Sequence, residues 1–240
     1  MVRDILRAEK YFKEYIKSEE KTIKEFENLV NQVIRERGES DKGVKSGYNF
    51  LFGNYFNKME AMYSFGASLE QIKLFYEEVI DITEKNWSSE SKYVEMIWLL
   101  SIAIMLKIES SQMERLKNLI TKDGVEDYLI DYLIAAYDNN WKIRTKKFKF
   151  DVPYKSLYQV INAENKEKSV LLLKRYLEEE WYEGHDDAGW YDTHKQKDEL
   201  IYSGYWSFES GAIAKILGLD DSSLKDTPYY PYDMVRYQGK

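Results

Sequence analysis

The chain has 240 residues, of which 32% are charged and 44% are hydrophobic, and its formal net charge is −7. This apolar content is enough for a buried core, and it excludes an intrinsically disordered chain, which combines few apolar residues with a high net charge. The chain contains no cysteine, which excludes disulfides, thiol nucleophiles and thiolate metal sites.

Two features of the sequence bear on the cellular compartment. Residues 1–10 are charged along their length and lack the apolar core of a signal peptide. The longest apolar run, residues 96–106, is too short to span a bilayer and predicts a buried helix instead. We therefore expect a cytoplasmic protein that makes no contact with membranes.

Three helices are predicted in the first third of the chain from apolar residues at three- and four-residue steps. They cover residues 5–35, 48–65 and 68–86. Gly66 is expected to end the second helix, because glycine adopts the left-handed conformation without steric cost. Ser68 and Gln71 have the spacing of a capping box, which predicts the start of the third helix.

Capping residues also predict where the next three helices begin: Ser88 or Ser89, Ser111 with Glu114, and Asp123 with Glu126. The fourth helix carries the apolar run, the fifth ends near residue 122 and the sixth near residue 139. Residues 139–153 interrupt the pattern with a basic stretch, which we interpret as a linker. Its basic side chains are expected to contact acidic groups of the same protein rather than nucleic acid.

The last part of the chain contains three more predicted helices, over residues 154–163, 165–181 and 200–217. Repeated caps, apolar stripes and short turns are typical of antiparallel helix packing. The sequence therefore predicts an all-α, multihelical fold of two packed antiparallel helical domains, residues 1–122 and 123–240. A minor β-hairpin near residues 143–151 is the most extended structure that we expect.

An acidic island lies late in the chain, over residues 178–192, and contains no lysine or arginine. Its carboxylates are Glu178, Glu179, Glu180, Glu183, Asp186, Asp187 and Asp192. Such a cluster repels nucleic acid and attracts basic partners. We therefore predict a protein partner with a basic surface and no direct binding of nucleic acid.

The most enzyme-like grouping of the sequence overlaps this island and comprises His185, Asp186, Asp187, Asp192 and His194. Imidazole and carboxylate groups are metal ligands when they converge on one point. Here both histidines lie in one loop, whereas helical metal-dependent phosphohydrolases draw their ligands from several helices. We favour a polar loop that docks onto the last helix, and we predict no catalytic residue, metal or cofactor.

Glu209 is the most informative polar residue, because it lies on an apolar stripe of the last helix with Tyr205, Ala212 and Ile213. A carboxylate among such neighbours must be paired or must shift its pKa. We predict that Glu209 and His185 belong to a structural polar network. The alternative is a site acid of a metal-dependent hydrolase that uses His185, Asp186 and Glu209.

The C-terminal half contains three stretches of unusual composition: residues 204–209 (GYWSFE), 212–218 (AIAKILG) and 226–233 (DTPYYPYD). The N-terminal half contains three more: residues 3–4 (RD), 63–66 (YSFG) and 93–100 (YVEMIWLL). In these stretches the chain resembles the two domains of the polymorphic nuclease immunity (PoNi) family. The resemblance covers roughly residues 1–120 and 125–235.

This resemblance implies a multihelical, two-domain immunity protein of a bacterium. Such proteins bind a cognate toxin, typically a DNase delivered by a contact-dependent secretion system, and thereby protect the producer. The resemblance brings no catalytic residue with it. A regulatory scaffold that binds a different partner is the remaining alternative, and the oligomeric state stays open.

A nuclease must be positively charged around its active site to neutralise phosphates, so an acidic partner would be drawn to that surface. We therefore predict that five residues of the acidic island contact the toxin: Glu179, Glu183, Asp186, Asp187 and Asp192.

Overall fold

The computed structural model describes residues 2–239, and 66% of the chain is helical. The described residues contain no strand, which confirms the all-α prediction. Residues 143–151 form no hairpin, because their backbone is bound to the sixth helix. The Arg144 amide donates to Asp131 at 2.8 Å, and the Lys149 amide donates to Asp127 at 2.8 Å.

The described chain forms two compact units. The first consists of residues 2–87 and 192–204, and the second consists of residues 88–191 and 205–239. The chain therefore enters the first unit twice. The domain boundary between residues 122 and 123 that we expected from the sequence stays a prediction.

Three long helices build the first unit: α1 (Glu9–Arg37), α2 (Lys42–Phe65) and α3 (Leu69–Asn86). The capping box of Ser68 and Gln71 is confirmed, and Gly66 ends α2 with a φ of 92°. Helix α2 begins earlier than predicted, because the Asp41 side chain accepts from the Gly43 amide at 2.7 Å and caps the helix. Gly43 and Gly47 therefore lie within α2.

The returning segment, residues 192–204, is tied to the first unit by buried polar contacts. The Tyr202 hydroxyl donates to Asp4 at 2.5 Å, and the Ser203 hydroxyl donates to Glu60 at 2.8 Å. The Ser64 hydroxyl donates to the Ser203 carbonyl at 2.7 Å. These bonds fix the segment against Asp4 and against the last turns of α2.

Seven α-helices lie in the second unit: α4 (Ser89–Leu106), α5 (Ser110–Lys122), α6 (Tyr128–Tyr137), α7 (Leu157–Ile161), α8 (Lys166–Arg175), α9 (Phe208–Leu217) and α10 (Tyr232–Val235). Helix α4 carries the apolar run, which is buried on nearly every face. It packs against α5, α6, α9 and α10 and forms the centre of this unit. Across residues 2–239 no helix combines the length and the apolar character needed to cross a bilayer.

Two predicted caps are wrong. Helix α5 begins at Ser110, so Ser111 lies inside it and does not cap it. Helix α6 is capped by Asp127, whose side chain accepts from the Ile130 amide at 2.9 Å. Asp123, the expected N-cap of α6, instead follows the end of α5 and accepts from the amide of Ser89, the first residue of α4, at 2.8 Å.

The predicted helix over residues 200–217 is wrong in its first part, since α9 begins only at Phe208. Gly204 has a φ of 131°, which is incompatible with a helix, and the Ser207 amide donates to the Tyr229 carbonyl at 2.8 Å. Ser207 is therefore the N-cap residue of α9 rather than an interior residue. Tyr205 precedes the helix and does not share a helical stripe with Glu209.

Candidate functional site

The acidic island begins where α8 continues into a π-helix (Tyr176–Glu180), which a 3-10 helix (Glu183–His185) follows. We define the acidic face as four exposed residues of the second unit: Glu179, Glu183, Asp186 and Asp187. Asp192, the last residue of the island, belongs to the first unit.

Basic residues that flank the island compensate part of its charge. Glu179 pairs with Arg175 at 3.0 Å, one helical turn away, and Asp192 pairs with Lys195 at 2.7 Å. Exposed pairs of this kind contribute only about 0–1 kcal/mol to stability. Asp186 and Asp187 form no ion pair with any residue between 2 and 239, so the negative charge is concentrated at their end of the loop.

Beneath the acidic face, two aromatic side chains fix the loop. Trp181 is fully buried, and the ring of His185 is almost fully buried beside it. His185 Nδ1 donates to the Trp181 carbonyl at 2.6 Å, so its Nε2 accepts from the Tyr154 hydroxyl at 2.9 Å. Burial lowers the pKa of His185, and the ring is therefore neutral at physiological pH.

The packing of Gly184 also positions this loop. A Cβ atom at Gly184 would lie 2.6 Å from Cβ of Pro153, closer than two carbon atoms approach. Only glycine therefore allows the loop to lie against the chain at that point. Gly189, later in the same loop, has open space around it.

The structure does not assemble the expected metal ligands. Both ring nitrogens of His185 are occupied by hydrogen bonds, and Asp186 is exposed whereas His185 is buried. His194 lies in the first unit, where burial lowers its pKa. Within the described part of the chain, no three histidine, aspartate or glutamate side chains are grouped to hold a metal ion. The described residues therefore do not provide the metal site that the hydrolase alternative requires.

Glu209 is fully buried in the first turn of α9. One carboxylate oxygen accepts from the Tyr176 hydroxyl at 2.8 Å and from the Ser207 hydroxyl at 2.7 Å, and the other accepts from Trp98 Nε1 at 2.9 Å. Burial raises the pKa of Glu209, although these hydrogen bonds oppose the shift. The burial and bonding that the sequence indicated are present, and the structural role of Glu209 stays a prediction.

An aromatic layer lies between the acidic face and the core of the second unit. The rings of Tyr182 and Tyr229 stack at 5.5 Å, and Trp190 contacts both His185 and Tyr205 at about 5 Å. Tyr182, Trp190 and Tyr229 are only partly buried, so they offer apolar area beside the carboxylates. Tyr229 lies in the stretch 226–233, remote in sequence from the acidic loop, so no local pattern could place it there.

The basic linker binds acidic groups of its own unit, as we expected. Arg144 pairs with the fully buried Asp131 at 2.7 Å, and Lys149 pairs with Glu90 at 2.8 Å. The Arg144 guanidinium also donates to the Val125 carbonyl at 2.6 Å. Arg144 and Lys149 therefore stabilise the second unit, whereas Lys142, Lys146 and Lys147 are exposed.

Comparison with known protein families gives two matches along the chain. Residues 3–118 match the N-terminal domain of the PoNe immunity proteins (PoNi), and residues 125–234 match the C-terminal domain of the same family. No curated protein matches the chain.

Among solved structures, the fold is similar to that of protein PA2201 from Pseudomonas aeruginosa. The two chains superpose with a TM-score of 0.64 over 92% of this chain and 87% of that one. Only 16% of the aligned residues are identical, so the likeness concerns the fold alone.

Proposed function

The chain belongs to the family of PoNe immunity proteins (PoNi), and from that premise we propose that it neutralises a cognate nuclease toxin by direct contact rather than by catalysis. The observation that carries the proposal is the match of both halves of the chain to the two domains of this family. The contact surface that we propose is the acidic face, Glu179, Glu183, Asp186 and Asp187.

The charge of the acidic face supports this choice of surface. A nuclease carries lysine and arginine around its active site, because it must neutralise the phosphates of its substrate. Complementary charge speeds the encounter of two proteins and orients them. Asp186 and Asp187 contribute most, because neither is compensated by an ion pair within residues 2–239. Glu179 and Asp192 contribute less, because Arg175 and Lys195 compensate their charges.

The rigidity of the loop supports the proposal as well. Trp181 and His185 hold the loop from below, and Gly184 lies tightly against Pro153. A surface that is already ordered loses little conformational entropy when a partner binds. The carboxylates are therefore presented in a fixed arrangement.

Aromatic rings beside the carboxylates provide the apolar part of an interface. Tyr182, Trp190 and Tyr229 are partly exposed next to the acidic face. Tyrosine and tryptophan are enriched at the centres of protein interfaces, where they contribute more binding energy than rim charges do. We infer that these rings contact the toxin while the acids attract it.

A triple charge reversal of Glu179, Glu183 and Asp187 to lysine tests the proposal by measuring binding of the cognate toxin domain. We expect the association rate at low salt to fall roughly tenfold or more, and protection of cells that express the toxin to decrease. The matched control reverses Glu126, Glu164 and Asp226, which are exposed residues of the same unit. It makes the same change in net charge and should leave both readouts unchanged.

Two results would contradict the acidic-face mechanism. One is full protection by a folded triple variant. The other is an association rate of the wild-type protein that does not change with ionic strength, because attraction between exposed charges is screened by salt. Either result would remove the acidic face from the proposed mechanism.

A further inference from the structure

The first unit contains a cavity of about 180 Å³ that the second unit does not contribute to. It lies among α1, α2 and α3, the three long helices of this unit. Its floor is apolar and consists of Val30, Leu51 and Ile82, all of which are buried. A space of this size with an apolar floor fits a side chain better than it fits a bulky ligand.

Carboxylates surround the mouth of the cavity. Glu27 comes from α1, and Glu78 and Asp81 come from α3; all three are exposed residues. Lys85 is the single cation among the lining residues. The lining therefore carries an excess of negative charge beside buried apolar side chains, where attraction of a cation is stronger than in open solvent.

Two tyrosines, Tyr48 and Tyr55, also line the cavity. Tyr55 donates to Glu27 at 2.7 Å, so its hydroxyl orients one carboxylate. The Lys85 ammonium lies over the ring of Tyr48 at 5.2 Å, a cation–π contact within the protein itself. Burial, and after it the charges of the acidic residues, raises the pKa of Tyr55, so the hydroxyl remains a donor.

We propose that this cavity receives an arginine or lysine side chain of the toxin, with the carboxylates of Glu27, Glu78 and Asp81 around its charged end and the apolar floor under its aliphatic stem. The proposal rests on the proposed function, because it takes the occupant from the same basic partner. Charge complementarity and the narrow apolar floor select a long cationic side chain over an anion or an apolar one. The cavity would thus be a second contact point, on the unit that does not carry the acidic face.

The first experiment measures the affinity of the same toxin domain for a Glu78→Gln/Asp81→Asn variant. We expect the affinity to fall roughly tenfold, because the variant removes two of the three carboxylate charges that line the cavity. The control is Glu36→Gln/Glu39→Gln, which removes two exposed charges of the same unit outside the cavity. It should bind as the wild type does.

The second experiment needs no toxin and uses N-acetyl-arginine amide as the probe. Its titration should shift the ring resonances of Tyr48 and Tyr55 in the wild type and in the control, and should shift them less in the Glu78→Gln/Asp81→Asn variant. Absence of these shifts in the wild type would overturn the cavity as a guanidinium site.

The outcomes separate this inference from the proposed function. If the acidic-face triple variant loses affinity and the cavity variant keeps it, the inference is wrong and the proposed function stands. If the probe binds but the cavity variant keeps its toxin affinity, the occupant is a free cation and the inference is equally wrong. If the wild type does not bind the toxin at all, the proposed function fails, and the occupant named here fails with it.

Discussion

Asp187 and Glu209 are carboxylates of the same unit, and their surroundings are opposite. Asp187 is exposed and has no ion-pair partner among residues 2–239, whereas Glu209 is fully buried and accepts three hydrogen bonds. The carboxylate of Asp187 is therefore available to a partner, whereas that of Glu209 is engaged by hydrogen bonds within the fold. An acidic interface is therefore located by carboxylates that are exposed and lack an ion-pair partner, and not by the number of carboxylates in a stretch.

Trp98 connects the two regions. Its indole donates to Glu209, and its ring packs against His185 and Trp190 at about 6 Å. His185 in turn holds the loop that carries the acidic face. We therefore expect a substitution of Glu209 to destabilise the fold, and a substitution of Asp187 to remove a contact with the partner.

The strongest test of this contrast is Glu209→Ala. It leaves three buried donors without an acceptor, and each such group costs about 1–3 kcal/mol, so we expect the free energy of unfolding to fall by about 3 kcal/mol or more. Glu209→Gln keeps one acceptor oxygen and should lose less. Chemical denaturation at neutral pH measures both variants. If Glu209→Ala is as stable as the wild type and yet loses toxin protection, then Glu209 is an interface residue and the contrast is wrong.

A second test addresses the support of the acidic face. Gly184→Ala places a Cβ atom against Pro153, so we expect a loss of about 1–3 kcal/mol in stability and weaker binding of the toxin. Gly189→Ala is the matched control in the same loop, where the added Cβ meets nothing, and its effect should stay within about 0.5 kcal/mol. Equal stability of the two variants would show that the contact with Pro153 does not hold the loop.

The smallest expected effect concerns Glu19 in the first unit, whose burial lies between those of Asp187 and Glu209. Burial raises the pKa of Glu19 to about 7 from the usual 4.5, and its Oε2 atom has no hydrogen-bond partner. Between these two pH values the folded protein holds more protons than the unfolded chain, so the contribution of Glu19 to stability falls as pH rises through this window.

Glu19→Gln should remove this pH dependence. We expect the variant to be more stable than the wild type at pH 8, and the difference to vanish at pH 4, where both side chains are neutral. Thermal unfolding across this pH range is the measurement. A stability difference that does not depend on pH would show that Glu19 titrates normally and is effectively exposed.

Much of the fold could be predicted from the sequence, because helix periodicity and caps are local signals. The capping box at Ser68, the left-handed Gly66 and the burial of α4 all follow from residues close in the chain. The start of α9 could not be predicted in this way, because it depends on the bond between the Ser207 amide and Tyr229. A contact of that kind leaves no periodic signal.

The candidate site shows the same limit. The burial of Glu209 followed from its apolar neighbours, but its donors Trp98 and Tyr176 are remote in sequence and could not be identified. The pair of Arg175 with Glu179 could have been predicted from its four-residue spacing, but it was missed because Arg175 lies just outside the island. Pairs between residues four positions apart can therefore be predicted from the sequence, whereas contacts between residues remote in sequence cannot.

The return of residues 192–204 to the first unit has a consequence for synthesis on the ribosome. Tyr202 binds Asp4 and Ser203 binds Glu60, so the first unit gains its last buried polar contacts only after most of the chain has been translated. Closing such a long loop is slow compared with forming the three local helices. While residues 88–191 of the second unit are being translated, α1, α2 and α3 are already present, but Asp4 and Glu60 do not yet have Tyr202 and Ser203 as partners. We therefore expect the two units to complete their folding almost together.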